Sequence, residues 1–176
     1  LLEEWLKMAD IVADLGSSKK ITELMSYEAR ARNIYYRGFS RMIPLEFNKR
    51  SKRPPENPFN ALISFGNTLL YSVTLAEIYK TQLDPRVSFV HEPFERRFSL
   101  CLDLSDIFKP LIVDRLIVDM INHGMLREKH FLKEINFAYL SESGRKIFVR
   151  KFDEKLSTTI KHRKLGRKVS YRTLIR

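Results

Sequence analysis

The chain has 176 residues, 44% of them hydrophobic and 30% charged, a balance that suits one folded domain with one core and excludes an intrinsically disordered protein. A single cysteine, Cys101, excludes an internal disulfide and a cysteine-built zinc site. The formal net charge of +11 points toward polyanionic partners, and no apolar run is read as reaching the about 18 to 20 uncharged residues of a bilayer span, because charged residues interrupt each candidate.

Residues 1–15 carry apolar side chains at helical spacing and end at Gly16, a residue suited to a left-handed helix cap. Ser17 and Ser18 are expected to cap a second helix running to about Arg41, with Glu28 in its middle. From Pro44 to Pro58 the pattern gives way to Lys49-Arg50-Ser51-Lys52-Arg53-Pro54-Pro55, whose prolines block helix and whose charges repel one another. This predicts a basic mobile loop over 45–57. Asn57 with Pro58 behind it predicts the start of a largely buried helix that reaches about Leu83, where Asp84-Pro85 breaks the run.

Apolar residues resume from Phe98 to Phe108, interrupted only by Asp103, Asp106 and small polar groups, and Pro110 is expected to open a further helix ending near Gly124. Residues 126–139 suit a short hairpin, Ser141 caps a last clear helix to about Leu156, and a strongly basic tail follows from Lys161. The expected class is mainly α, one helical domain spanning 1–176. The chain opens on Leu1, is read as carrying no cleavable leader, and is expected to be a piece of something longer.

A sequence pI near 9.8 favours nucleic acid through counterion release, ahead of an anionic membrane surface. The plain alternative is a solvated basic surface. Three positions place ionisable groups where apolar neighbours make them costly. Glu28 lies in Tyr27-Glu28-Ala29-Arg30, among arginines that suit a metal-phosphate site or, equally, an exposed helix ion pair. His91 ends the apolar segment Val87-Ser88-Phe89-Val90, as a ligand or a satisfied core histidine. Asp103 and Asp106 stand three apart, which puts both on one face of a helix. Carboxylates with one imidazole select a hard cation, Mg2+ or Mn2+. Such a metal serves phosphodiester hydrolysis or strand transfer alike.

Together, Tyr27-Glu28-Ala29-Arg30, Pro58-Phe59-Asn60-Ala61-Leu62-Ile63-Ser64-Phe65-Gly66, Leu69-Leu70-Tyr71, Phe89-Val90-His91-Glu92 and Leu102-Asp103-Leu104-Ser105-Asp106-Ile107-Phe108-Lys109-Pro110 resemble, in that order, the catalytic lobe of the CRISPR-associated endonuclease-integrase family. The resemblance implies a helical catalytic domain, with the family's N-terminal β-rich dimerisation domain lying outside this chain. It implies Glu28, His91 and Asp106 as catalytic metal ligands for Mg2+ or Mn2+, Asp103 as a supporting acid, and Tyr71 facing a DNA end; Asn60 also matches a position characteristic of the family, but its place near a helix start permits a purely structural hydrogen-bonding role, and it is left outside the metal shell. Arg30 and the loop cations Lys49, Arg50, Lys52 and Arg53 would contact DNA.

The implied work is spacer acquisition in antiviral defence, in the cytoplasm. The full-length protein would form a homodimer, bind double-stranded DNA, and join its 3′ ends to the repeat array with the CRISPR adaptation protein numbered two. No membrane is expected to take part. The alternative from another class is a winged-helix DNA-binding protein, suggested by Gly124-Met125-Leu126 followed by Tyr139-Leu140-Ser141-Glu142. A helical scaffold that only grips nucleic acid is the third reading.

Overall fold

A computed structural model of the chain describes residues 2–16, 18, 20–90, 98–134 and 137–176. Two helices open the chain, α1 (Leu2–Leu15) and α2 (Ile21–Ser40), packed against each other. The junction differs from expectation at both ends. Gly16 is not among the glycines with positive φ. Ser18 closes α1 instead of capping α2: its amide and its hydroxyl both donate to Leu15 O, at 3.2 and 2.9 Å. Helix α2 therefore starts after Lys20 with no side-chain cap.

Helix α3 (Pro58–Ile78) starts as the sequence predicts, with Pro58 in the first turn and the Asn57 side chain accepting from Asn60 N at 2.9 Å. It ends at Ile78, short of Leu83, because Thr81 donates to Ile78 O through both its amide (2.9 Å) and its hydroxyl (2.7 Å). One reading of the sequence is corrected here. No charged residue interrupts Pro58 to Ala76, so α3 is long and apolar enough, by length and composition, to cross a membrane. In this structure it is the core helix, with Phe59, Leu62, Ile63 and Leu70 fully enclosed by protein. Gly66 permits the closest approach in the core: a Cβ there would lie 2.5 Å from Val113 Cγ1 and 3.0 Å from Phe148 Cζ.

Helix α4 (Ser99–Phe108) leads directly into a π-helical segment (Lys109–Asp114) and then α5 (Arg115–Asn122). Pro110 thus does not open a separate helix. It has no amide to return to the fourth carbonyl behind it, and the hydrogen-bond ladder widens by one residue at that point. Helix α5 ends as expected near Gly124, which takes φ +65°.

The expected hairpin is β1 (Phe131–Glu134) paired antiparallel with β2 (Phe137–Leu140), with Phe131 opposite Leu140. Phe131, Ala138 and Leu140 are buried, so its inner face belongs to the core and does not project as a wing. Ser141 then caps α6 (Glu142–Ser157), accepting from Gly144 N at 3.2 Å. The basic tail holds further structure that its composition did not announce: a second hairpin, β3 (Thr159–Lys161) with β4 (Lys168–Ser170), and α7 (Tyr171–Ile175), which docks on α6.

Candidate active site

The carboxylates of Glu28 on α2 and Asp106 on α4 meet on one guanidinium. Arg32 Nη2 donates to Glu28 Oε1 within its own helix and to Asp106 Oδ2 at 2.8 Å. Lys109, one turn beyond Asp106, bonds the other oxygen of that carboxylate. Burial works against the Asp106 charge, yet Lys109 and Arg32 outweigh it and hold the carboxyl below the ordinary range. Burial likewise opposes the charge on Arg32, and the two carboxylates reverse that, raising its pKa.

Asp103, three residues before Asp106 on α4, bonds backbone amides. Its Oδ2 accepts from the amides of Phe89 (2.6 Å) and Val90 (3.0 Å), fixing the backbone immediately before His91. The Tyr71 hydroxyl donates to Phe98 O at 3.0 Å, and Leu100 N to Pro85 O at 3.0 Å. His91 itself lies outside the described residues. Among the described residues, no three of His, Cys, Asp and Glu gather into a metal-ligating group, which leaves Glu28 and Asp106 as the pair that the fold brings together.

Both carboxylates, with Asp103, line a cavity of about 570 Å³ whose other walls are apolar side chains such as Met8 and Ile11 of α1, Phe89 and Ile107. The carboxylates thus share a cavity lined mainly by residues of α1, α2 and α4.

The basic loop divides by function of its side chains. Lys49, Lys52 and Arg53 are exposed. Arg50 turns inward, donating to Asn60 Oδ1 at 3.0 Å, Ser64 Oγ at 2.9 Å, and the carbonyl of Ser51. The segment expected to be mobile is tied back by the fully buried Asn60, which also bonds Lys49 O (2.9 Å) and Ser51 N (3.2 Å), and by Ala138 N to Pro55 O at 2.8 Å. Asn60 thus makes the hydrogen bonds that its place near the start of α3 permits. Arg30 is exposed on α2, its guanidinium 5.8 Å from the centre of the Tyr27 ring.

Arg32 is one of the arginines that flank Glu28 in the sequence, whereas Asp114 was passed over there. Asp114 is 4% exposed, accepts from the Tyr35 hydroxyl at 2.8 Å, and leaves Oδ1 with no hydrogen-bond partner. Burial pushes its carboxyl up to about 6. The available signal was an acid inside the apolar run Leu111-Ile112-Val113-Asp114.

A family model described as CRISPR associated protein Cas1 matches residues 1–154. A CRISPR-associated endonuclease Cas1 of Thermodesulfovibrio yellowstonii is 57% identical over 172 residues, covering 97% of this chain and 53% of that protein. A solved CAS1 protein from Thermotoga maritima superimposes with a TM-score of 0.88 at 41% identity, covering 96% of this chain and 53% of that one. A casposase bound to integration product has the same fold, with a TM-score of 0.85 at 24% identity over 95% of this chain and 50% of its own. The chain spans about half the length of the curated relatives it matches.

Proposed function

Because the chain belongs to the Cas1 family of CRISPR-associated proteins, we propose that it supplies the catalytic centre of a metal-dependent DNA endonuclease and integrase acting in spacer acquisition. The observation that carries this reading is the meeting of Glu28 and Asp106 on a single cationic nitrogen. Two carboxylates from different helices converge on a point already held by positive charge, which is the donor chemistry a hard divalent cation requires. Glu28, Asp106 and His91 would hold Mg2+ or Mn2+. A divalent cation bound there supplies Lewis acidity to a phosphodiester oxygen.

The remaining work falls to the chain's own groups. Asp103 holds the Phe89 and Val90 amides and so fixes the backbone at residues 89 and 90. Lys109 and Arg32 place two positive charges against Asp106, where they neutralise charge that develops on a phosphate oxygen. Arg30 and the exposed loop cations Lys49, Lys52 and Arg53 bind the backbone of double-stranded DNA without reading sequence.

In the full-length protein this lobe works as part of a homodimer, in the cytoplasm, with the CRISPR adaptation protein numbered two, joining 3′ ends of short duplexes to the repeat array. The test is Mn2+-dependent nicking and strand transfer on a repeat-containing duplex by the full-length protein, beside its Glu28→Ala and His91→Ala variants. Both variants lose the activity and keep salt-sensitive DNA binding. Equal activity in all three proteins overturns the reading and favours a helical scaffold that only grips DNA.

A further inference from the structure

Asp114 closes the π-helical segment that Lys109 opens. A continuous α-helix would set two residues at this spacing about 140° apart around its axis. The π-helical repeat, which bonds residue i to i+5, brings them onto one face a single turn apart. Glu28, Arg32, Asp106, Lys109 and Asp114 all line one cavity of about 250 Å³. Asp114 is enclosed by protein, holds the Tyr35 hydroxyl on Oδ2 at 2.8 Å, and has no partner for Oδ1 among the described residues. We propose that Asp114 is a positioning residue for the acid pair: its open oxygen receives the Lys109 ammonium when a divalent cation takes Asp106, a role that rests on reading that pair as a metal site.

Three observations support it. First, Lys109 needs an anion wherever it sits. Its side chain is only 18% exposed and bonds Asp106. A divalent cation on that carboxylate displaces the ammonium, and an enclosed charge left without a partner is costly. Arg32 is 34% exposed and has water to turn to. Lys109 has Asp114, across the cavity that both line. Second, Asp114 already feels these cations. Burial raises its carboxyl to about 6, while the Tyr35 hydrogen bond and the charges of Lys109, Arg50 and Arg32 work the other way. Third, folding alone does not account for a carboxylate here. An asparagine would also accept from the Tyr35 hydroxyl, without the cost of burying an acid whose second oxygen has no donor.

The test uses the full-length protein without DNA. Mn2+ affinity is measured by calorimetry near neutral pH, and stability by urea unfolding, for the original protein, Asp114→Asn, Lys109→Met and the double variant. Asp114→Asn keeps an acceptor for Tyr35 and withdraws the anion from Lys109. It is expected to weaken Mn2+ binding about tenfold while stability holds or rises, a split that a purely structural acid would not give. Lys109→Met removes the cation that has to be received, so adding Asp114→Asn in that background should change Mn2+ affinity by less than about twofold. In a crystal structure of the Mn2+-loaded original protein, the Lys109 amine is expected at hydrogen-bond distance from Asp114 Oδ1.

Unchanged Mn2+ affinity in Asp114→Asn overturns the inference and leaves the acid pair standing as a metal site. An equal loss in both backgrounds means that Asp114 acts by its charge alone, which also overturns it. So does a Lys109 that stays on Asp106 in the loaded structure, and that structure decides if Lys109→Met fails to fold. Absence of Mn2+ binding by the original protein overturns the acid-pair reading itself, and this inference with it.

Discussion

Glu28 and Asp106 are hydrogen-bonded to the same atom, Arg32 Nη2. A guanidinium that bridges two candidate metal ligands competes with the metal for them. Arg32→Met keeps much of the side chain's apolar bulk and removes that competitor. The variant should bind Mn2+ about tenfold more tightly, roughly 1.4 kcal/mol, when titrated calorimetrically without DNA. Unchanged or weaker Mn2+ affinity would show that Arg32 supports the ligand geometry more than it occupies the site.

Asp114 sets a pH dependence of stability. Its carboxyl, raised by burial to about 6 from an ordinary 3.8, binds a proton more readily folded than unfolded. Its contribution is therefore most favourable below about pH 4 and is lost as pH rises through 6. Asp114→Asn keeps an acceptor for the Tyr35 hydroxyl and removes the titration. The variant should match the original protein near pH 4 and exceed it at pH 7 by up to ~3 kcal/mol in urea unfolding. Parallel stability profiles across this range would contradict the assignment.

Gly66 sits where α3 meets Val113 and Phe148. A methyl group 2.5 Å from Val113 Cγ1 cannot be accommodated without movement of the π-helical segment. Gly66→Ala should cost roughly 1 to 3 kcal/mol by urea unfolding, despite alanine's better helix propensity. A gain in stability would mean that the segment yields freely.

Asp103 tests positioning separately from ligation. Asp103→Ala strands the Phe89 and Val90 amides and loosens the backbone at those two residues. The Mn2+-dependent turnover should fall at least about tenfold, while Mn2+ affinity falls less than in Asp106→Ala. Equal losses of affinity in both variants would place Asp103 among the ligands.

Much of the architecture was legible because it is written locally. Helix periodicity, the Asn57-Pro58 start, the Ser141 cap and the Gly124 stop each depend on residues within a few positions of one another. The errors share one cause, which is that polar groups can be satisfied by alternatives that local rules do not rank. Ser18 returned to Leu15 and did not cap the next helix, and Thr81 ended α3 before the Asp84-Pro85 break. The uncharged stretch of α3 is a core helix because other elements cover it, and composition does not say what covers a helix.

The sequence by itself determined the mainly helical class, the basic character, the family, and the carboxylates at Glu28, Asp103 and Asp106, because residue type and spacing along a helix are local properties. Only the tertiary structure decided that Glu28 and Asp106 share Arg32, that Asp103 serves the backbone before His91, and that Arg50 turns inward while Lys52 and Arg53 remain exposed. Those outcomes depend on which helices pack together. The cost of burying a charge without a partner then selects, from many cations in the sequence, the few that meet a carboxylate.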